Sequence, residues 1–135
     1  MTFDTKIAVV VRDDLAVWQK LNVTAFTVSG VAGSAEVLGA PYEDADGVQY
    51  LPMIVQPIMV YEATAEKLRT VYDRARSRET RFAVYTEELF GTPHDEANRA
   101  AVRAVRSSDL ALVGLAFRAE RKVADKIVKG LALHG

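Results

Sequence analysis

Polar side chains able to bind a ligand follow an apolar run near the N-terminus. The run from Ile7 to Val11 reads IAVVV, and Arg12, Asp13 and Asp14 come directly after it, with Lys20 and Asn22 one to two helical turns later. A lysine beside the free N–H groups of a helix N-terminus stabilises a phosphate, a carboxylate or a developing oxyanion. The spacing therefore predicts a site for a small anionic or polar ligand, lined by Arg12, Asp14, Lys20 and Asn22.

Two glutamates are candidates for a catalytic role. Glu87 and Glu88 follow a second apolar stretch, RFAVYT at residues 81–86, and a positioned carboxylate can act as a general base on water. If that stretch runs parallel to the first one, both glutamates reach the same edge of the sheet as Lys20. The catalytic hypothesis is Lys20 as oxyanion stabiliser and Glu87 or Glu88 as base; solvated surface charges are the alternative for all three.

Composition removes several classes of chemistry. The chain has no cysteine and two histidines, His94 and His134, so we expect no metal and no cofactor. A serine-hydrolase elbow, a P-loop and a dinucleotide-binding glycine motif are absent from the sequence. We expect His94 at the second position of a helix, and His134 lies one residue from the end, so neither is predicted to be catalytic.

Charge and hydropathy limit the partners. Residues 1–98 carry 9 Lys/Arg against 15 Asp/Glu, a net −6, and residues 99–135 carry 8 against 3, a net +5. The arginines at 99, 103 and 106 share a helical face without interleaved aromatic side chains, so nucleic-acid binding stays open but unsupported. No apolar run is long enough to span a membrane, and MTFDTK lacks a secretory pattern, so we expect a cytoplasmic protein.

The first half of the chain must position these residues. Residues 6–12 form a β-branched run without alternation, which predicts a central strand covered on both faces. A helix over residues 15–31 is expected next, capped by Asp13 or Asp14 and ended near Gly30 and Gly33. Residues 34–47 have a loop-like composition and are predicted to form a mobile or lid-like region.

The second half alternates strands and helices. We expect a strand after a kink at Gln56-Pro57, a helix over 65–77 capped by Thr64, a strand over 81–86, and a helix over 93–106 capped by Thr92. A strand over 109–117 follows, in which Gly114 marks a close approach, then a helix over 119–129 and an apolar clamp at 131–133. This order predicts a single α/β domain over residues 1–135, with three α/β/α layers and a four-stranded, mostly parallel sheet.

Two segments carry a resemblance to a known family: the Asp-Asp-Leu helix start and the sequence LPMIVQPIMVYEA at residues 51–63. In these segments the chain resembles a bacterial family catalogued as domain of unknown function two thousand. That family is similar in fold to the type-two peptidyl-tRNA hydrolases. The resemblance implies a sheet of mixed direction and a homodimer. Lys20 is the best counterpart of the hydrolases' lysine, Thr24 and Thr27 stand where their glutamine and histidine would be, and Glu87 and Glu88 loosely match their acid.

Three functions remain open from the sequence. The leading hypothesis is a protein that binds a small anionic or polar ligand over the first helix, with Thr24 added to the binding residues. The alternative is an esterase-like hydrolase of aminoacyl or peptidyl esters, so enzymatic activity is undecided. The third is an interaction module that uses LPMIVQPIMV, residues 51–60, as a dimer surface.

Overall fold

A computed structural model describes residues 3–135 of the chain. Its strands are β1 (Thr5–Arg12), β2 (Tyr42–Glu43), β3 (Gln49–Tyr50), β4 (Ile58–Ala63), β5 (Phe82–Thr86), β6 (Leu112–Glu120) and β7 (Ala132–Leu133). Its α-helices are α1 (Val17–Ser34), α2 (Ala65–Ser77), α3 (Asp95–Arg103) and α4 (Arg121–Ile127). Short 3-10 turns follow β5 and precede β6.

The main sheet has five strands in the order β5-β6-β1-β4-β7. β1 pairs in parallel with β4, whereas β1 with β6, β5 with β6, and β4 with β7 are antiparallel. The prediction of four mostly parallel strands was therefore wrong, and the mixed direction implied by the resemblance is confirmed. The missed strand is β7, which pairs only Ala132 and Leu133 with β4 and is too short to show a periodicity.

Helices cover the main sheet on both faces, so the α/β class and the three layers are confirmed. One core cluster joins Val10 and Phe117 of the sheet to Leu68 of α2 and Ile127 of α4, and the other joins Val9 and Val11 to Val23 of α1. The five residues Ile7 to Val11 are at most 1% exposed. β1 is thus the interior strand that its apolar run predicts.

Two helix starts differ from the predictions. Thr64 caps α2 as expected, and its hydroxyl accepts from the Lys67 N–H. At α1, however, the N-cap is Ala16, not Asp13 or Asp14. At α3 the N-cap is His94, whose Nδ1 accepts from the Ala97 N–H at 3.1 Å, not Thr92. A ring nitrogen can replace the usual oxygen acceptor because any aligned lone pair satisfies the first-turn N–H.

Two glycines mark close packing between elements. Gly30 does not end α1, which continues to Ser34; a Cβ there would lie 2.9 Å from the Cβ of Ala83 in β5. Gly114 confirms its expected close approach, because a Cβ would collide with Val23 of α1 and lie 3.1 Å from the carbonyl oxygen of Val10. Both glycines let α1 pack closely on the sheet.

Residues 37–55 form a two-stranded ribbon, which we call the arm. Val55 N–H donates to Val37 O, Leu38 bridges Ile54, Gly39 N–H donates to Met53 O, and β2 pairs with β3 so that Tyr42 faces Tyr50. All of these pairs belong to one antiparallel register, interrupted where Pro41 and Pro52 lack donors. The predicted loop at 34–47 is therefore the end of α1 plus half of a β-ribbon.

The tip of the arm turns tightly on Asp44. Its carboxylate accepts from the N–H groups of Asp46 and Val48 and from the Tyr50 hydroxyl, and Gly47 has a φ of +83°. These hydrogen bonds, that from Tyr50 first, lower the pKa of Asp44. Residues 40–51 are exposed along their whole length. The arm therefore projects from the domain.

Candidate functional site

The carboxyl ends of β1, β4 and β5 lie at the same edge of the sheet, because β5 runs antiparallel to β6 and hence parallel to β1. This brings Glu87 to the edge that the sequence predicted for it. Two polar clusters lie at this edge, one around Arg12 and one around Lys20.

The Arg12 cluster joins three strands. The Arg12 Nε lies 2.6 Å from Asp14 Oδ1, its Nη1 lies 2.7 Å from Glu87 Oε1, and the same Nη1 donates to the carbonyl of Leu112 at 3.4 Å. The Arg12 side chain is only 16% exposed. Burial opposes its charge, but the hydrogen bonds to Asp14 and Glu87 outweigh burial and raise the pKa of Arg12. The guanidinium charge is therefore matched within the protein.

The Lys20 cluster contains His134, which was not predicted to be a functional residue. Lys20 Nζ lies 2.9 Å from His134 Nε2, and the Glu62 carboxylate lies 3.7 Å from the same ring nitrogen. His134 follows β7 directly, and its N–H donates to the carbonyl of Val60 at 2.8 Å, which holds it beside β4. The His134 side chain is 30% exposed, so solvent and ligands reach it.

One tautomer of the imidazole fits both of its side-chain contacts. An ammonium group has donors only, so the contact with Lys20 is a hydrogen bond when Nε2 accepts and the ring proton lies on Nδ1. In that tautomer Nδ1 donates to the main-chain oxygen of Gly135, 2.8 Å away. Lys20 spends one of its three N–H donors on His134 and keeps two for another acceptor.

The start of α1 adds further donors beside Lys20. Ala16 has no side-chain acceptor, and no side chain caps the first-turn N–H groups of α1 in the described chain. Gln19 instead reaches back, and its Oε1 accepts from the Ala16 N–H at 2.9 Å. The first turn also carries no acidic residue. The positive end of an 18-residue helix is therefore not compensated by its own side chains.

The remaining predicted site residues do not converge on Lys20. The Thr24 hydroxyl donates to the carbonyl of Lys20 at 2.8 Å, within α1 itself. Asn22 is half-buried on α1, and Glu88 is exposed on the 3-10 turn after β5, where its carbonyl accepts from Gly91. Glu87 is held by Arg12. The structure thus brings together Arg12, Asp14 and Glu87 in one cluster, and Lys20, Glu62 and His134 in the other.

Sequence reasoning missed Glu62 and His134. Lys20 and His134 are 114 positions apart, and only the pairing of β7 with β4 joins them. The available signal was the apolar clamp at 131–133, which is the strand that carries His134 back to the sheet edge. Glu62 is the last residue but one of β4, the strand expected after the kink at Gln56-Pro57, and stands opposite Ala132.

Open grooves with room for a small ligand lie elsewhere on the molecule. One of about 530 Å³ lies between the end of α1 and β5, with Arg78, Arg81 and Arg118 at its rim. Another of about 600 Å³ lies between α1, β5 and α3. Neither is lined by Lys20, so the Lys20 cluster is a surface site at a sheet edge.

Two classes of site are not found in the described part of the chain. Residues 3–135 contain no group of three or more histidine, aspartate or glutamate side chains placed to hold a metal ion. None of the helices described combines the length and the apolar composition needed to cross a membrane.

Comparisons with known proteins agree with the fold but bring no activity. A family model described as "Protein of unknown function (DUF2000)" matches residues 5–135. The solved structure of a protein of unknown function, Atu0240 from Agrobacterium tumefaciens strain C58, is 50% identical, covers 99% of this chain and 100% of its own, and superimposes with a TM-score of 0.95. None of the curated proteins matches the chain.

Proposed function

Because this chain belongs to the DUF2000 family, whose description names no activity, we propose its function from the site: it binds a small ligand with a carboxylate or phosphate group at Lys20 and His134. The observation that carries the proposal is the Lys20 to His134 hydrogen bond of 2.9 Å. It leaves a positive charge with two spare donors beside the uncapped start of α1. Both features favour an anionic group.

Comparison of the two clusters supports Lys20 over Arg12 as the ligand-binding cation. Arg12 already contacts two carboxylates, and an incoming anion would have to displace one of them. Lys20 contacts an imidazole nitrogen instead of a carboxylate. Asp14 and Glu87 then act in the fold, and the Thr24 hydroxyl bonds within the helix that carries Lys20.

Thermal shift with and without Lys20 tests this proposal. Wild-type protein is titrated with a panel of phosphate and carboxylate compounds, with Lys20→Met as the variant and Lys67→Met, exposed on α2, as the matched control. A ligand at 100 times its Kd stabilises the fold by about 2.7 kcal/mol, which raises Tm by roughly 10 °C. We expect that shift in wild type and Lys67→Met and not in Lys20→Met. The same shift in all three proteins would contradict the proposal.

A hydrolase of aminoacyl or peptidyl esters is the second candidate, and one observation favours it: Nε2 of His134 lies 2.9 Å from Lys20 Nζ. In that reaction the Lys20 ammonium leaves Nε2 and stabilises the oxyanion, water attacks the ester carbonyl and gives its proton to the freed Nε2, and the imidazolium returns the proton to the leaving alcohol. Glu87 and Glu88 suit the base role less well, because Glu87 is bound to Arg12 and Glu88 has no contact with Lys20 among the described hydrogen bonds.

Turnover of diacetyl-lysyl-tRNA tests the hydrolase candidate. We expect release of the blocked amino acid above a protein-free blank, with loss of at least 100-fold in His134→Gln and no loss in Glu88→Gln. Activity equal to the blank, while a known peptidyl-tRNA hydrolase cleaves the same substrate, would remove this candidate.

We also propose that the protein is a homodimer in the cytoplasm, as the sequence led us to expect. Support for the dimer comes from α1, whose 18 residues include one charged side chain, Lys20, and whose Val17, Trp18 and Leu21 are 58–74% exposed. A helix that is apolar on its outer face as well as its inner face is normally covered. Of the predicted dimer surface at 51–60, Leu51, Met53 and Val55 are also more than half exposed.

A further inference from the structure

The arm and α1 both expose apolar side chains, although the rings of Trp18 and Phe26 each contact an aromatic ring of their own chain. Four large hydrophobic side chains on α1 and seven on the arm are each between 51% and 85% exposed. Together they present on the order of 1,000 Å² of apolar side chain, since each such residue offers roughly 100 Å² at this exposure. A stable interface needs about 800 Å² on each partner. The exposed apolar area of one copy is therefore comparable to what a stable interface buries on each partner.

The base of the arm packs on its own domain through Val37 and Ile54, but residues 40–51 have no such support. Residues 40–51 are exposed, and β2 and β3 pair only with each other among the described strands. A two-stranded hairpin by itself is marginally stable in water. Apolar side chains also lie on both faces of the ribbon, Tyr42 and Tyr50 on one and Leu51 and Met53 on the other. An apolar ribbon of this kind is stable when it lies against a second body.

The negative charge of the arm favours one packing surface over another. Between residues 37 and 55 the arm carries Glu43, Asp44 and Asp46 and no lysine or arginine. Two arms packed together would therefore oppose like charges. α1 itself carries Lys20 and no acid, and of the two aspartates that precede it, Asp14 is paired with Arg12, so Lys20 is the charge on this helix that an acidic arm meets.

Length also fits. Half of the arm, from Leu38 to Asp46, spans roughly 30 Å in extended conformation, and the 18 residues of α1 span roughly 27 Å. The arm can therefore cover the outer face of a helix such as α1 from one end to the other.

We propose that the arm of one copy lies along the outer face of α1 in a second copy, with the acidic tip at the helix N-terminus, so that the partner's arm borders each Lys20 site. This inference rests on the proposed homodimer and adds where the partner sits. Val17, three residues before Lys20, is its neighbour on the helix surface, so an arm that covers Val17 limits the ligand to what fits between the ribbon and His134. The site is then completed by two chains.

Cross-linking gives a direct test, because the chain contains no cysteine. Single-cysteine variants Ala25→Cys on the exposed side of α1 and Val48→Cys on the arm are mixed in equal amounts and treated with a short bis-maleimide. We expect the mixed Ala25-to-Val48 product to dominate. Ser77→Cys, exposed on α2, is the matched control and should cross-link with neither. A product only between two Ala25→Cys copies, or only between two Val48→Cys copies, would overturn the arrangement.

Oligomeric state and the single tryptophan separate this inference from the ligand proposal. Light scattering at about 100 µM should give a dimer for wild type and for Lys20→Met, and Leu51→Asp should weaken dimerisation at least 10-fold while Thr70→Asp on α2 does not. Trp18 is 58% exposed and is the only tryptophan, so its emission should shift to the blue on dimerisation. A monomer would overturn the inference even if Lys20 binds a ligand, and a dimer without ligand binding would leave it standing.

Discussion

The two polar clusters at the carboxyl edge of the sheet have similar residues and opposite character. Around Arg12, one cation meets two carboxylates and a carbonyl, at distances of 2.6 to 3.4 Å. Around Lys20, the cation meets an imidazole nitrogen, and the nearby carboxylate of Glu62 lies 3.7 Å from that nitrogen. The first cluster ties β1, β5 and β6 together. The second keeps charge and donors available, so position at a sheet edge does not by itself make a residue part of a binding site.

Replacing Arg12 should produce the largest effect on stability. Arg12→Met leaves Asp14 and Glu87 without their partner and removes the contact with Leu112. We expect the free energy of unfolding to fall by about 2 kcal/mol. This figure already allows for solvent screening, because both carboxylates are more than half exposed. Urea unfolding followed by circular dichroism measures it. A loss below about 0.5 kcal/mol would mean that this cluster does not stabilise the fold.

Replacing Lys20 should act on binding and not on folding. Lys20→Met removes the charge and keeps the alkyl stem, so we expect at least a 10-fold weaker Kd for the ligand found by thermal shift, about 1.4 kcal/mol. The free energy of unfolding should change by less than about 0.5 kcal/mol. Calorimetry and urea unfolding of the same preparation measure both. If Lys20→Met destabilises the fold as much as Arg12→Met does, the contrast between the clusters is wrong.

A third cation, Lys6, forms an ion pair that we expect to act in the fold alone, and its replacement gives a value with which the effects at Arg12 and Lys20 can be compared. Its hydrogen bond to Asp125, at 2.6 Å, raises the pKa of Lys6 against partial burial, and Tyr61 adds to the rise. A raised pKa contributes stability that is complete below the ordinary value of 10.5 and is lost as pH rises through the higher folded value.

We therefore expect Lys6→Met to cost about 0.5 to 1 kcal/mol at neutral pH, with the difference from wild type shrinking above pH 10.5. Urea unfolding of both proteins from pH 7 to pH 11.5 measures this. A difference that grows with pH would contradict the assigned ion pair.

The tip of the arm should respond least, since Asp44 is fully exposed. The hydrogen bonds from Tyr50, Val48 and Asp46 lower the pKa of Asp44. The stability that they contribute to the tip is therefore complete above the ordinary pKa of 3.8 and is lost as pH falls through the lower pKa of the folded protein. NMR of Asp44→Asn should show changes confined to residues 42–50. Global loss of stability would mean that the arm is part of the core.

Local sequence patterns predicted the strands and helices that are defined by one continuous apolar run. They did not predict elements whose structure depends on pairing with a distant part of the chain. The β-branched run before Arg12 needs no other information to be read as the central strand, and Thr64 caps α2 by contacts three residues away. The arm was missed because Pro41 and Pro52 interrupt its strands and resemble loop signals. β7 and His134 were missed because two residues show no periodicity and their role depends on pairing with β4.

The candidate site was predicted in part for the same reason. Arg12, Asp14 and Lys20 follow from one strand-to-helix junction, and the common edge of Glu87 follows from strand direction. The choice between Arg12 and Lys20 needs side-chain partners that lie 75 and 114 positions away. Asp13 and Asp14 looked like helix caps because acids are common there, yet Asp14 instead binds Arg12.

An NMR titration with inorganic phosphate tests the central claim most directly, because it observes both cations in one sample. The Lys20 Nζ and His134 ring resonances should shift with a common saturation curve, while the Arg12 Nε resonance stays in place. Shifts at Arg12 with none at Lys20 and His134 would contradict the account.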